Sequence, residues 1–286
     1  MWTQMKLGDD EDIYAVFQRP HDAPLADATL VVTFSGLAQS MSEKGFLFAR
    51  LRKAAALLTC HFVQFDYRGH GDSAGDFRSA SITSMTKDAV EVLNHFLRGG
   101  TYTKVICIGH ALGAEIAAAA MNRMTREYPA LALILIAISP PSWRQPPVSR
   151  LFPPEVLSAL AEAKEIEASR LFPGRDYYGF SDFEKRLLAF LNNWGGHIQQ
   201  VHGQYISSTM LEELDQFRSR RFITDYLREA VCIVGQKDEE CAAMAKASGA
   251  QPLTMPGVRR YHDHASAAEQ VIRWIIVELE RECGRT

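Results

Sequence analysis

The sequence predicts an α/β fold, a mainly parallel twisted sheet flanked by helices, with a helical segment inserted into it. Short apolar runs alternate with segments of helical apolar spacing, and this alternation is typical of right-handed crossovers between parallel strands. Some runs, such as residues 29–34, are apolar throughout, as expected of strands buried on both faces. After Pro140 and Pro141 the alternation stops, and it resumes only near residue 228.

Strands and helices follow one another along the chain in a regular order. Strand character is predicted for residues 12–17, 29–34, 61–65, 104–108, 133–138, 230–234 and 251–255. Helical spacing is predicted for residues 45–58, 82–97, 112–124 and 265–279.

Residues 142–227 interrupt the alternation with a mostly helical pattern, many aromatics and no convincing strand. The segment is too long for a plain loop. We interpret it as a helical lid above the carboxyl ends of the strands, where open α/β sheets bind ligands. Residues 1–141 and 228–286 then form the core. The lid side chains that could line a pocket or pack within the lid are Tyr177, Tyr178, Phe180, Trp194, His197, His202 and Tyr205.

The charge and composition of the chain argue against several kinds of partner and cellular location. A net charge of −3 argues against a nucleic-acid partner or an anionic membrane surface. The strongest basic cluster, Arg218, Arg220 and Arg221, is interpreted as a solvated helix edge. No apolar run is long enough to span a bilayer, and residues 1–12 lack the pattern of a signal peptide. Five irregularly spaced cysteines favour a reducing, cytoplasmic setting.

The sharpest local motif lies between a predicted strand and a predicted helix. Residues 109–113 read Gly-His-Ala-Leu-Gly, which matches the nucleophile elbow G-x-S-x-G except that Ala111 replaces serine. The glycines of such an elbow permit a strained central residue and close helix–strand packing. The following helix directs its first N–H groups at the same point. Alone, the motif is also compatible with a tight strand–helix turn of no function.

Further motifs follow in a fixed order. Residues 35–39 (Ser-Gly-Leu-Ala-Gln) follow the strand 29–34, residues 65–73 read FDYRGHGDS, and residues 234–238 read VGQKD after a buried strand. His262 and His264 lie just before the last helix. Together with the elbow, these motifs resemble the α/β-hydrolase fold family, especially its serine aminopeptidase and monoglyceride-lipase-like branch. The resemblance covers nearly the whole chain outside residues 142–227.

The resemblance implies a role for each matching residue. The backbone N–H groups of Leu37 and Leu112 would form the oxyanion hole. Asp238 would be the acid that orients the catalytic histidine, with Glu239 and Glu240 as neighbouring alternatives. His262 would be the base, with His264 as the alternative. His110 and the charged residues of FDYRGHGDS are expected to support packing and loop structure.

Ala111 would occupy the nucleophile position, where a methyl group cannot attack a carbonyl. The family chemistry implies a hydrolase of esters, thioesters or amides that works through an acyl-enzyme, in a form that binds substrate without turning it over. The alanine is either an engineered Ser→Ala change or natural to a pseudoenzyme that binds a ligand. An acyltransferase or cyclase on the same machinery is a further alternative, whereas aspartate-nucleophile enzymes are disfavoured because residue 111 is not Asp.

The expected partner is a small-molecule or acyl substrate, including carrier- or CoA-linked acyl groups. No cofactor or metal is predicted, since His262 and His264 have no third ligand nearby in the sequence. The sequence does not indicate an oligomeric state or a particular substrate, because the pocket and not the catalytic motif sets specificity.

Overall fold

A sheet of eight strands forms the centre of the protein. The computed structural model describes residues 1–20, 27–99, 101–142, 146–173, 185–217 and 222–284. The strands of the main sheet are β1 (Trp2–Leu7), β2 (Ile13–Gln18), β3 (Ala28–Phe34), β4 (His61–Phe65), β5 (Tyr102–His110), β6 (Ala132–Ile138), β9 (Val231–Gly235) and β10 (Leu253–Met255). Their spatial order is β1-β2-β4-β3-β5-β6-β9-β10.

The sheet is parallel except at one edge. β1 pairs with β2, and β2 pairs with β4, in antiparallel register. Each remaining pair is parallel. The predicted fold class, a mainly parallel sheet flanked by helices, is therefore confirmed. The edge strand β1, whose residues are mostly exposed, was not predicted.

Helices cover both faces of the sheet. They are α1 (Leu47–Ala54), α2 (Ile82–Leu97), α3 (Leu112–Glu127), α4 (Val148–Leu151), α5 (Pro154–Ala163), α6 (Ala168–Leu171), α7 (Lys185–Asn193), α8 (Ile198–Val201), α9 (Ser208–Gln216), α10 (Glu239–Ala247) and α11 (Ala265–Cys283). α2 and α3 pack on one face, and α1 and α11 pack on the other. Alternate residues of a strand point to opposite faces, so Val32 joins the first core and Val31 the second.

The segment between β6 and β9 contains helices α4 to α9 and a small separate sheet. β7 (Glu165–Glu167) pairs antiparallel with β8 (Tyr205–Ser207), so the expectation of no strand in this segment was wrong. Each of these strands has only three residues, which is too short for a period-two pattern to be visible. Tyr177, Tyr178, Phe180 and the arginines 218, 220 and 221 lie outside the described residues.

Within the part of the chain described here, no helix combines the length and apolar character that a bilayer crossing requires.

Candidate active site

The turn between β5 and α3 has the backbone geometry of a nucleophile elbow. Ala111 adopts φ 48° and ψ −118° immediately before the first residue of α3. A positive φ is uncommon for a residue with a Cβ and costs on the order of 1–3 kcal/mol. Ala111 N donates to Ile138 O at 3.0 Å, which ties the bend to β6. The side chain of Ala111 is fully buried.

The two glycines of the motif are required by close approach of backbone segments. A Cβ at Gly113 would lie 2.0 Å from Phe34 O, and a Cβ at Gly109 would lie 2.4 Å from the Cα of Ala114. Both distances are far below van der Waals contact, so neither position has space for a side chain. The two glycines are therefore needed for the close packing of α3 against β3 and β5.

The loop after β3 lies beside the elbow. Gly36 N donates to Glu43 Oε2 at 2.7 Å, which fixes the loop at its second residue. Leu37 N and Leu112 N, the two predicted oxyanion donors, both donate to the carbonyl oxygen of Trp194, at 2.9 Å and 3.3 Å. Two N–H groups from separate loops thus converge on one carbonyl oxygen, which is the arrangement an oxyanion hole requires.

Glu43 is a site residue that the sequence analysis did not identify. Its Oε1 lies 3.0 Å from His110 Nδ1, and both side chains are buried. The same oxygen accepts from Tyr261 OH at 3.4 Å. Burial raises the pKa of Glu43, but the neighbouring His110 and two backbone N–H donors outweigh burial and bring the pKa below its ordinary value. Glu43 lies nine residues beyond the end of β3 and belongs to no motif that the sequence analysis used.

Asp238 lies just after β9, at the N-terminus of α10. Its Oδ1 accepts from Cys241 N at 3.4 Å, and its Oδ2 lies 2.8 Å from Nη1 of the buried Arg260. Among the described residues, no histidine nitrogen lies within ion-pair distance of this carboxylate. The structure therefore pairs the predicted acid with a guanidinium in place of an imidazole.

The two candidate bases are in different environments. His262 is partly buried, and burial, Lys44 and His110 lower its pKa to about 3. Its Nδ1 lies 3.7 Å from Asp263 Oδ1. His264 is exposed, and its Nδ1 bonds to the hydroxyl of Ser266 at 2.7 Å. His264 thus caps α11, and His262 is the histidine closer to the site.

A cavity of about 460 Å³ opens next to these groups. Its lining includes Glu43, Lys44, His197, Gln200 and His262. Burial lowers the pKa of Lys44 to about 8 and also lowers the pKa of His197. The cavity therefore combines polar and apolar surface and contains a lysine that is cationic at neutral pH.

The remaining aromatic and histidine candidates of residues 142–227 differ in position. Trp194 is fully buried. His202 Nε2 lies 2.8 Å from Phe172 O, and Tyr205 is exposed under the guanidinium of Arg78. Of the predicted pocket residues that the structure describes, Trp194 and His197 lie at the site, whereas His202 and Tyr205 bond elsewhere.

The FDYRGHGDS loop, residues 65–73, forms hydrogen bonds and ion pairs with neighbouring segments. Asp66 Oδ2 accepts from Asp72 N at 2.9 Å, and its Oδ1 accepts from Met41 N at 2.5 Å. Burial raises the pKa of Asp66 to about 6. Arg68 forms ion pairs with Asp12, Asp88 and Glu91. These residues join loops to one another, as expected.

Comparison with known proteins identifies the family. A sequence profile described as serine aminopeptidase, S33, matches residues 27–184, which is more than half of the chain and includes the elbow. The chain belongs to the serine aminopeptidase S33 family. The family is one of α/β hydrolases, so the predicted resemblance is confirmed.

The curated relatives share only part of their length with this α/β hydrolase. A lysophosphatidylserine lipase from Mus musculus is 32% identical over 136 residues, which cover 47% of this chain and 31% of the relative. The lipase of the same name from Gallus gallus is 41% identical over 86 residues, covering 30% and 22%. The matching stretch thus spans less than a third of these relatives.

Solved structures share the fold over nearly the full chain. A lipase in its open form has a TM-score of 0.66 at 14% identity and covers 98% of this chain and 99% of its own. A putative hydrolase from Agrobacterium vitis S4 has a TM-score of 0.63 at 16% identity, with 98% and 99% covered. At such identities the likeness concerns the fold.

Proposed function

We propose that this α/β hydrolase binds an ester, thioester or amide ligand at the elbow and does not turn it over by the serine mechanism. The observation that supports the proposal is the convergence of Leu37 N and Leu112 N on one carbonyl oxygen beside Ala111. Donors arranged in this way bind a carbonyl oxygen whether or not a nucleophile is present.

The side chain at position 111 decides which steps of the serine mechanism are possible. In the serine mechanism a histidine takes the hydroxyl proton, the serine oxygen attacks the carbonyl carbon, and the acyl-enzyme is released to water or to another acceptor. Ala111 has neither the proton nor the lone pair. Both acyl transfer and hydrolysis lose their covalent step, and polarisation of the carbonyl remains. Acyltransferase or cyclase activity would need the same missing atom.

An acyl ester with an anionic head group is the ligand class we favour. The Mus musculus relative is named as a lysophosphatidylserine lipase, and its stated substrate has an acyl ester and a charged head. In this chain Lys44 lines the cavity together with Glu43 and His262 and would attract such a head group. A carrier- or CoA-linked acyl thioester likewise joins an acyl carbonyl to an anionic group and is included in this class.

The ion pair between Asp238 and Arg260 favours a binding protein over an enzyme with one residue disabled. A single Ser→Ala change would leave the acid facing its histidine. Here the carboxylate faces a buried guanidinium at 2.8 Å. We therefore infer that more than the nucleophile differs from a working triad.

Restoring the serine tests this proposal. The unmodified chain is expected to show no labelling by a fluorophosphonate probe and to bind lysophosphatidylserine in isothermal titration calorimetry. Ala111→Ser, checked for folding by circular dichroism, is expected to label weakly, with His262→Ala in the same background as control. Labelling of Ala111→Ser within minutes, abolished by the His262 change, would instead indicate an intact hydrolase disabled at one position. Absence of lysophosphatidylserine binding would refute the favoured ligand class.

A further inference from the structure

The oxyanion hole is occupied by the protein's own backbone. Trp194 O accepts from Leu37 N at 2.9 Å and from Leu112 N at 3.3 Å. A substrate carbonyl would be held by the same two donors, one from each side of the elbow. The peptide bond between Trp194 and Gly195 thus stands where the bond of an ester or amide ligand would lie.

Gly195 fits against the elbow because neither partner has a large side chain. It adopts φ +85°, and a Cβ built on it would lie 2.9 Å from the Cβ of Ala111 and 3.4 Å from Cε1 of His110. A Cβ on Gly36 would lie 3.0 Å from the Cα of Gly195. A methyl group at position 111 and glycines at 36 and 195 together leave room for this backbone.

Hydrogen bonds hold the residues on both sides of Trp194 in place. Lys44 Nζ donates to Gly196 O at 3.0 Å and to Asn192 Oδ1 at 3.4 Å. On the other side, Asn193 Oδ1 accepts from Ser142 N at 2.8 Å. The turn is therefore anchored on both sides of the carbonyl that enters the hole.

We propose that residues 193–196 act as an internal pseudoligand: the Trp194 carbonyl occupies the oxyanion hole, and an external ester or amide binds only after this turn withdraws. Withdrawal breaks the two hydrogen bonds to the hole, the bond from Lys44 Nζ to Gly196 O and the bond from Ser142 N to Asn193 Oδ1, and it requires no covalent change. The ligand that replaces the turn is the ester or amide of the proposed function, on which this part of the proposal rests, with its carbonyl oxygen in the place of Trp194 O. The proposal goes beyond ligand binding, because it concerns the hole before any ligand arrives.

Amide hydrogen exchange at Leu37 and Leu112 tests the proposal without any ligand. Gly195→Ala introduces a Cβ where only 2.9 Å is available. Gly203→Ala is a matched control in the same inserted segment, since Gly203 has φ +80° with no other atom within 4 Å of its Cβ position. Both changes carry the strain of a positive φ, and Gly195→Ala alone also introduces the steric clash.

We expect both amides to exchange at least about tenfold faster in Gly195→Ala, as loss of two hydrogen bonds predicts. Gly203→Ala is expected to leave their rates unchanged. Amides of β5 serve as reference, because they report global unfolding. Unchanged exchange at Leu37 and Leu112 in a folded Gly195→Ala protein would overturn the proposal.

A crystal structure of the unmodified chain provides a test that does not depend on any variant folding. The expected result is Trp194 O within hydrogen-bond distance of both N–H groups. A hole filled by water or open to solvent, with Trp194 elsewhere, would contradict the pseudoligand. That outcome would not refute the proposed function, because titration calorimetry measures the binding of lysophosphatidylserine directly.

Discussion

At the scale of single residues, the ion pair between Arg260 and Asp238 is a feature of the site that stability measurements can test. Arg260 and Asp238 form a buried ion pair at 2.8 Å, and the two side chains are 7% and 2% exposed. Removing one partner of such a pair leaves the other charge buried without compensation, whereas exposed charges contribute little. Each charge of the pair therefore compensates the other, and loss of either one would destabilise the loops after β9 and β10.

Arg260→Leu is expected to lower the free energy of unfolding by about 3 kcal/mol, because the Asp238 carboxylate loses its cation. Urea denaturation at pH 7 measures the effect. The matched control is Arg259→Leu at the exposed neighbouring position, which should change stability by less than about 0.5 kcal/mol. Equal losses in the two variants would show that the buried pair has no special role.

His70 gives stability a defined pH dependence. Burial lowers its pKa from 6.5 to about 4. Between these values the unfolded chain binds a proton at this residue and the folded chain does not, so stability is present above pH 6.5 and is lost as the pH falls toward 4. The slope for one such group is about 1.4 kcal/mol per pH unit at most.

His70→Phe keeps the ring contacts with Tyr67 and Phe77 and removes the titrating group. Its unfolding free energy should fall less steeply than that of the unmodified chain between pH 6.5 and 4.5. His95→Phe, at an exposed position, should leave the slope unchanged. The measurement is urea denaturation at a series of pH values, and parallel slopes for all three proteins would disprove the assignment.

At the scale of elements, the elbow depends on close packing of α3 against the end of β3. A Cβ at Gly113 would lie 2.0 Å from Phe34 O. In an ordinary helix, Gly→Ala would instead be favourable. We expect Gly113→Ala to lower the free energy of unfolding by about 3 kcal/mol or more, because the backbone must shift.

Gly99→Ala is the control for this substitution, since the nearest atom to a Cβ there is Thr101 Oγ1 at 3.5 Å. Its effect on urea denaturation should stay within about 0.5 kcal/mol. If Gly113→Ala were equally harmless, the glycine spacing of the motif would not reflect a packing requirement.

Elements with local signals were predictable from the sequence. The strand His61–Phe65 and the helix Ile82–Leu97 have the predicted bounds, since burial pattern and capping lie within each segment. α10 was missed although Asp238 at its N-cap and two acidic residues in its first turn are recognised start signals. β1, β7 and β8 were missed because exposed or three-residue strands depend on partners distant in the sequence.

Contacts between distant parts of the chain explain what the sequence could not predict at the site. The elbow and the donors Leu37 and Leu112 were identified from motifs, and the structure places those donors together. The pairing of Asp238 with Arg260, the contact of Glu43 with His110 and the docking of Trp194 each join separate elements. Side-chain chemistry alone allows many other pairings, so only the three-dimensional arrangement selects these.

At the scale of the whole molecule, an α/β hydrolase scaffold is combined with an inserted segment that reaches the elbow. The core supplies the mainly parallel sheet and the elbow, whereas the insertion provides Trp194, Gly195 and the cavity residue His197. Lysophosphatidylserine lipases match the chain over less than half its length. Fold alone does not define activity, so the contacts between the insertion and the elbow have to be tested in this chain itself.

The most direct test of the central claim is the rate of 4-nitrophenyl butyrate hydrolysis by the unmodified, purified chain. With a methyl group at the elbow and the oxyanion hole filled, release of 4-nitrophenol is expected to match the buffer background at every protein concentration. A saturable rate that rises in proportion to the protein concentration would contradict the account, because it would require a nucleophile or an open hole that this arrangement lacks.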